Sequence, residues 1–139
     1  RFGGHALFIK DGKLHYVYNF LGIRPEQVFV SPPLAPGKQT LGMEFVREKP
    51  GEHGESLGTT TLFVNDKAVN TGPMRAQVGK FTLAGDGLCV GFDSGDAVSS
   101  LYTTPGTFTG GTIRGVAIDV SGEQFLDLQR EAAAALVTD

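Results

Sequence analysis

Between Leu14 and Phe20 the chain alternates. Leu14, Tyr16, Tyr18 and Phe20 fall on one side of an extended backbone, and His15, Val17 and Asn19 on the other. A period of two is the signature of a strand with one buried face, so the first set is expected in a core. Residues 6–10 form a second strand-like run, joined to the first by Lys10-Asp11-Gly12-Lys13. Asp-Gly between apolar runs predicts a hairpin, because both central residues of a type I′ turn need positive φ.

Further along, residues 27–30 read as a third strand, stopped by Ser31-Pro32-Pro33 because proline cannot donate to a ladder. Residues 38–48 read as a fourth, with Leu41, Met43 and Phe45 on one face. Residues 49–58 are polar and glycine-rich and predict an exposed loop. Residues 59–65 and 67–70 predict a second hairpin around Asn65-Asp66, with shorter strands at 75–79 and 88–92. Residues 93–111, mostly Ser, Thr, Gly and Asp, predict a long surface loop. A last strand at 112–120 is expected to bury Val116, Ile118 and Val120.

The tail changes period. In residues 123–138, Phe125, Leu128, Ala132 and Leu136 recur at spacings of three and four, and Ala132 to Ala135 are strong helix formers. Ser121 is placed to cap this helix, with Gln124 at the capping-box position. The expected architecture is mainly β: a two-sheet antiparallel sandwich over residues 1–120 and one C-terminal α-helix over 121–139. Phe125, Leu128 and Leu136 are expected to dock the helix on the sheets or on a neighbouring chain.

Composition agrees with short strands: 139 residues carry 20 glycines and 7 prolines, which supply many turns. A net charge of −3 with intermixed signs offers no footprint for nucleic acid or an anionic membrane. No apolar run approaches the roughly 20 residues that span a bilayer. The opening Arg1-Phe2-Gly3-Gly4 lacks an initiator methionine and reads as part of a longer chain. One cysteine excludes an internal disulfide and leaves the compartment open.

Chemistry-bearing patterns are weak. Cys89 sits in Leu88-Cys89-Val90-Gly91-Phe92, which reads as a buried strand thiol rather than a nucleophile. His5, His15 and His53 lack the spacing of a zinc site. Asp86, Asp93 and Asp96 flank a loop, and Asp93-Ser94-Gly95-Asp96 faintly suggests calcium, but turn-forming acids are the preferred reading. Tyr16, Tyr18, Phe20 and Phe45 could form a sugar platform, yet alternation points them inward. No catalytic, cofactor-binding or metal-binding residue is assigned.

Four blocks, in order, carry a resemblance. Residues 3–22 give Gly-Gly, an aliphatic-aromatic strand, Lys10-Asp11-Gly12-Lys13, Tyr16-Val17-Tyr18-Asn19 and Leu21-Gly22. Leu34-Ala35-Pro36-Gly37-Lys38 then leads to Phe45, and residues 58–69 read Gly-Thr-Thr-Thr-Leu-Phe-Val-Asn-Asp-Lys-Ala-Val. Last come residues 90–95, 108–113 and 116–120. Together they resemble the C-terminal domain of large bacterial arylsulfatases, over roughly residues 3–120, and the opening hairpin is similar to laminin-G-like, concanavalin-like sandwiches generally. The resemblance implies a non-catalytic accessory domain that packs on the α/β catalytic sulfatase domain of the same chain and helps shape its cleft. Formylglycine and a divalent cation, calcium, would belong to that other domain. The formylglycine motif, Cys/Ser-x-Pro-x-Arg, is not met at Cys89, which is followed by Val90-Gly91-Phe92-Asp93. A second copy of the chain is a further candidate partner. The alternative function is an independent carbohydrate-binding or protein-interaction module.

Overall fold

The computed structural model describes residues 3–77, 88–93 and 95–120. It is mainly β, with antiparallel sheets and no helix among the described residues. Strands β1 (Gly4–Lys10), β2 (Lys13–Asn19) and β3 (Gln27–Pro33) form one three-stranded sheet in the order β1-β2-β3. Strands β4 (Leu41–Pro50), β5 (Ser56–Val64) and β6 (Lys67–Ala76) form a second, in the order β4-β5-β6. A two-residue pair, β7 (Phe92–Asp93) with β8 (Gly106–Thr107), completes the pairing.

The turns follow the local chemistry. Asp11 and Gly12 lie at φ 52° and 70°, and Asn65 and Asp66 at φ 50° and 65°. Positive φ at both central residues gives the right-handed twist that two-residue hairpins need. Asn65 is held further: its Oδ1 accepts from the Thr40 amide at 2.9 Å, and its own amide N–H donates to the Thr40 carbonyl at 2.7 Å. Gly58 answers a different need. A side chain there would collide with the Val46 carbonyl, at the place where β4 slips register between Arg47 and Lys49.

The two sheets share one core. Leu14, Tyr16, Tyr18 and Phe29 from the first meet Leu62 and Met74 from the second, with Met43, Phe45 and Val64 packed around them. The sheets are latched where β3 meets β6. The Gln27 side-chain amide donates to the Arg75 carbonyl and accepts from the Arg75 N–H, both at 2.8 Å, copying a ladder pair. Asn70 Nδ2 adds a bond to the Val30 carbonyl at 3.0 Å.

The other face of the first sheet is covered by a loop. Asn19 Nδ2 donates to the Val98 carbonyl, Lys10 Nζ donates to the Leu101 carbonyl, and Phe8 meets Tyr102 edge-on at 5.1 Å. Ala97 and Ser99 are buried there. Val17 and Asn19 are therefore buried too, although they lie opposite the core face.

Several expected elements differ. The third strand does not end before Ser31-Pro32-Pro33 but runs through Pro33, which pairs with Lys13. Proline is accommodated because β3 is an edge strand of its sheet. The fourth strand begins at Leu41 and reaches Pro50, so the expected loop at 49–58 shrinks to residues 51–55. The short strands expected at 67–70 and 75–79 are one continuous β6 as far as Ala76. Of the strand expected at 88–92, only Phe92 is paired. Residues 112–120 form no strand, and Val116, Ile118 and Val120 are exposed rather than buried. Their alternation is real, but a strand also needs a partner edge, and none pairs with them among the described residues. The C-terminal helix with Phe125, Leu128 and Leu136 lies outside the described residues, as does Asp86.

Candidate docking surfaces

Asp93 is set by β7 and by the loop that follows. Tyr102 donates its hydroxyl to Asp93 Oδ2 at 2.6 Å, and the Gly95 amide donates to Oδ1 at 3.4 Å. Loss of water around Tyr102, together with that bond, pushes its phenol up to about 12. Asp96 is exposed. The carboxylate of Asp93 thus serves as a loop fastener, and no group of three or more His, Cys, Asp or Glu among the described residues is arranged to hold a metal ion.

Nearby, Glu26 performs a similar task. Its carboxylate accepts from Ser99 Oγ at 2.8 Å and from the Ser100 amide at 2.9 Å, and it faces Arg24 at 3.2 Å. Asn19 bridges loop and turn: Nδ2 reaches Val98, while Oδ1 accepts from the Gly22 amide at 2.8 Å.

The three histidines are dispersed. His5 Nδ1 shares a 2.5 Å hydrogen bond with the Tyr16 hydroxyl, and the ring lies 4.5 Å from that of Tyr18. The residue as a whole is exposed, but its ring is shielded by the two tyrosines, and this local desolvation lowers its pKa. Burial raises the phenols of Tyr16 and Tyr18. His15 stacks on Phe8 at 5.2 Å, on the face away from Tyr16, and His53 is exposed in the 51–55 loop. Of the aromatic set, Tyr16 and Tyr18 are in the core, with Phe20 and Phe45 packed against it. Cys89 is only half-buried and lies outside any strand, so the buried strand thiol expected from its neighbours is not what forms.

What the alternation rules missed is a set of apolar residues left facing water. Leu88, Val90 and Phe92 are 73%, 46% and 53% exposed, a period-two row leading into β7. Leu7 and Ile9 on β1 are 47% and 41% exposed, and Ile118 is 63% exposed. Of these only Ile118 was expected in the core, while residues 6–10 and 88–92 were expected as strands. A shallow recess beside β4, lined by Thr40, Met43, Glu44, Phe63 and Asp66, brings together no catalytic pair. Compared with protein-family models, curated proteins and solved structures, the chain finds no match.

Proposed function

We propose that this chain is a non-catalytic accessory domain of an arylsulfatase-type sulfuric ester hydrolase, a laminin-G-like sandwich closed by its C-terminal helix. It packs on the α/β catalytic domain of the same longer chain. The observation that carries this reading is the exposed row Leu88, Val90 and Phe92. Three exposed apolar side chains within five residues support a docking surface, because soluble proteins rarely leave large apolar patches in water. The ordered blocks from Gly3 to Val120 supply the identity of the partner. Burial of Tyr16 and Tyr18 lends no support to a sugar platform built from them.

Hydrolysis of a sulfate ester needs an activated nucleophile and stabilisation of the departing oxygen. Formylglycine and a cation would supply these in the catalytic domain, and no residue of this chain is assigned to either. The test compares nitrophenyl sulfate turnover by the chain alone, by the longer parent, and by a parent lacking the domain. No turnover by the chain and a loss of solubility or activity in the shortened parent are expected. Turnover by the pure chain, or a stable and fully active shortened parent, refutes the proposal.

A further inference from the structure

Residues 112–120 alternate as a strand does, and among the described residues no strand pairs with them. In an extended backbone Val116, Ile118 and Val120 fall on one side, and Gly115, Ala117 and Asp119 on the other. The first set is largely in water. Among the described residues the sheets offer few edges to such a strand. Those of β3 and β6 are latched together by Gln27 and Asn70. The outer strand β4 ends in Arg47, Glu48 and Lys49, all exposed, the charged blunting that discourages edge pairing. The outer edge of β1 pairs with no strand, and Lys10 is its one formally charged residue.

We propose that residues 112–120 of one copy add as an antiparallel strand to the outer edge of β1 in a second copy, reciprocally. The two faces of β1 set the register. His5, Leu7 and Ile9 share the core-facing side with Tyr18, Tyr16 and Leu14 opposite them, yet Leu7 and Ile9 are open to water. Ala6, Phe8 and Lys10 lie on the other side, where Tyr102 and the Leu101 carbonyl already sit. An incoming strand must therefore be apolar on one face and small on the other. Placing Val116 opposite Ile9 puts Ile118 opposite Leu7 and Val120 opposite His5. The crowded side then receives Gly115 beside Lys10, Ala117 beside Phe8 and Asp119 beside Ala6, the smallest side chain on that face. The same register sets Arg114 across from Asp11, an opposite-charge pair. Reciprocal exchange doubles the area of a single strand addition, towards the about 1,200–2,000 Å² of stable interfaces.

This pairing uses a surface other than the Leu88 row, so it stands or falls apart from the accessory-domain reading. The test is register-specific cross-linking in a Cys89→Ser background. Leu7→Cys with Ile118→Cys is expected to give a disulfide-linked dimer under mild oxidation, and Leu7→Cys with Ala117→Cys is not. All these positions except Cys89 are accessible, so folding is not at stake. Light scattering of the unmodified chain should report a dimer, and Ile118→Pro, which removes a ladder donor, should report a monomer with unchanged circular dichroism. A disulfide within one chain, equal cross-linking of both pairs, or a monomeric unmodified chain overturns the proposal.

Discussion

Replacing Asn19 with alanine removes two bonds at once from a side chain that is 2% exposed. The Val98 carbonyl loses its donor and the Gly22 amide loses its acceptor. Each group left without a partner costs about 1–3 kcal/mol, so the pair should cost about 2–6 kcal/mol. That is a large share of the about 5–15 kcal/mol that holds a typical domain together. The turn after β2 adds to the effect. Leu21 sits at φ 52°, a region costing a non-glycine residue about 1–2 kcal/mol, and Asn19 helps keep it there. Asn19→Asp keeps an acceptor for Gly22 but puts a buried carboxylate against the Val98 carbonyl, so it should be worse than alanine. Urea unfolding followed by tyrosine fluorescence reads both, since the chain has three tyrosines and no tryptophan. A loss below about 0.5 kcal/mol, the scale of ordinary surface changes, or an aspartate variant as stable as the native chain, would refute the reasoning.

Two further outcomes are expected. Tyr16, Tyr18 and Tyr102 are all held above the ordinary phenol value, Tyr102 at about 12, so native protein should show no phenolate absorbance step at pH about 10. Because the folded values lie above the unfolded one, their contribution to stability is complete below pH about 10 and is lost as pH rises through the folded values. A step worth one tyrosine at pH 10 in folded protein would contradict the described burial. Leu62→Ala, at a fully buried position between the sheets, should cost about 2–5 kcal/mol in the same urea assay, while Val46→Ala on the open face of β4 should stay within about 0.5 kcal/mol.

The hairpins were readable because their causes are local: Asp11-Gly12 and Asn65-Asp66 each carry their turn geometry with them. Leu14, Tyr16 and Tyr18 were readable for the same reason, since alternation needs no knowledge of the partner sheet. Val17 and Asn19 were not. Their burial comes from a loop 79 residues further along the chain at Asn19, and nothing local to β2 announces it. The exposed segment at 112–120 marks the opposite limit. Pattern states which face seeks cover, but not whose edge provides it. The docking surfaces stayed hidden because a residue awaiting another protein has the same sequence signature as one awaiting its own core.

The succession of strands also sets an order of assembly. Among the described residues every ladder joins consecutive strands, so each three-stranded sheet can form from nearby sequence alone. Such local contacts close quickly, whereas distant ones must first overcome the entropy of a long loop. During synthesis the first sheet is complete once Pro33 has emerged, but its cover, Leu62 and Met74, has not yet been made. For that interval Leu14, Tyr16 and Phe29 form an unprotected apolar face on a nascent chain. Translation speed between Pro33 and Met74 therefore governs how long this intermediate is open to aggregation or to a chaperone.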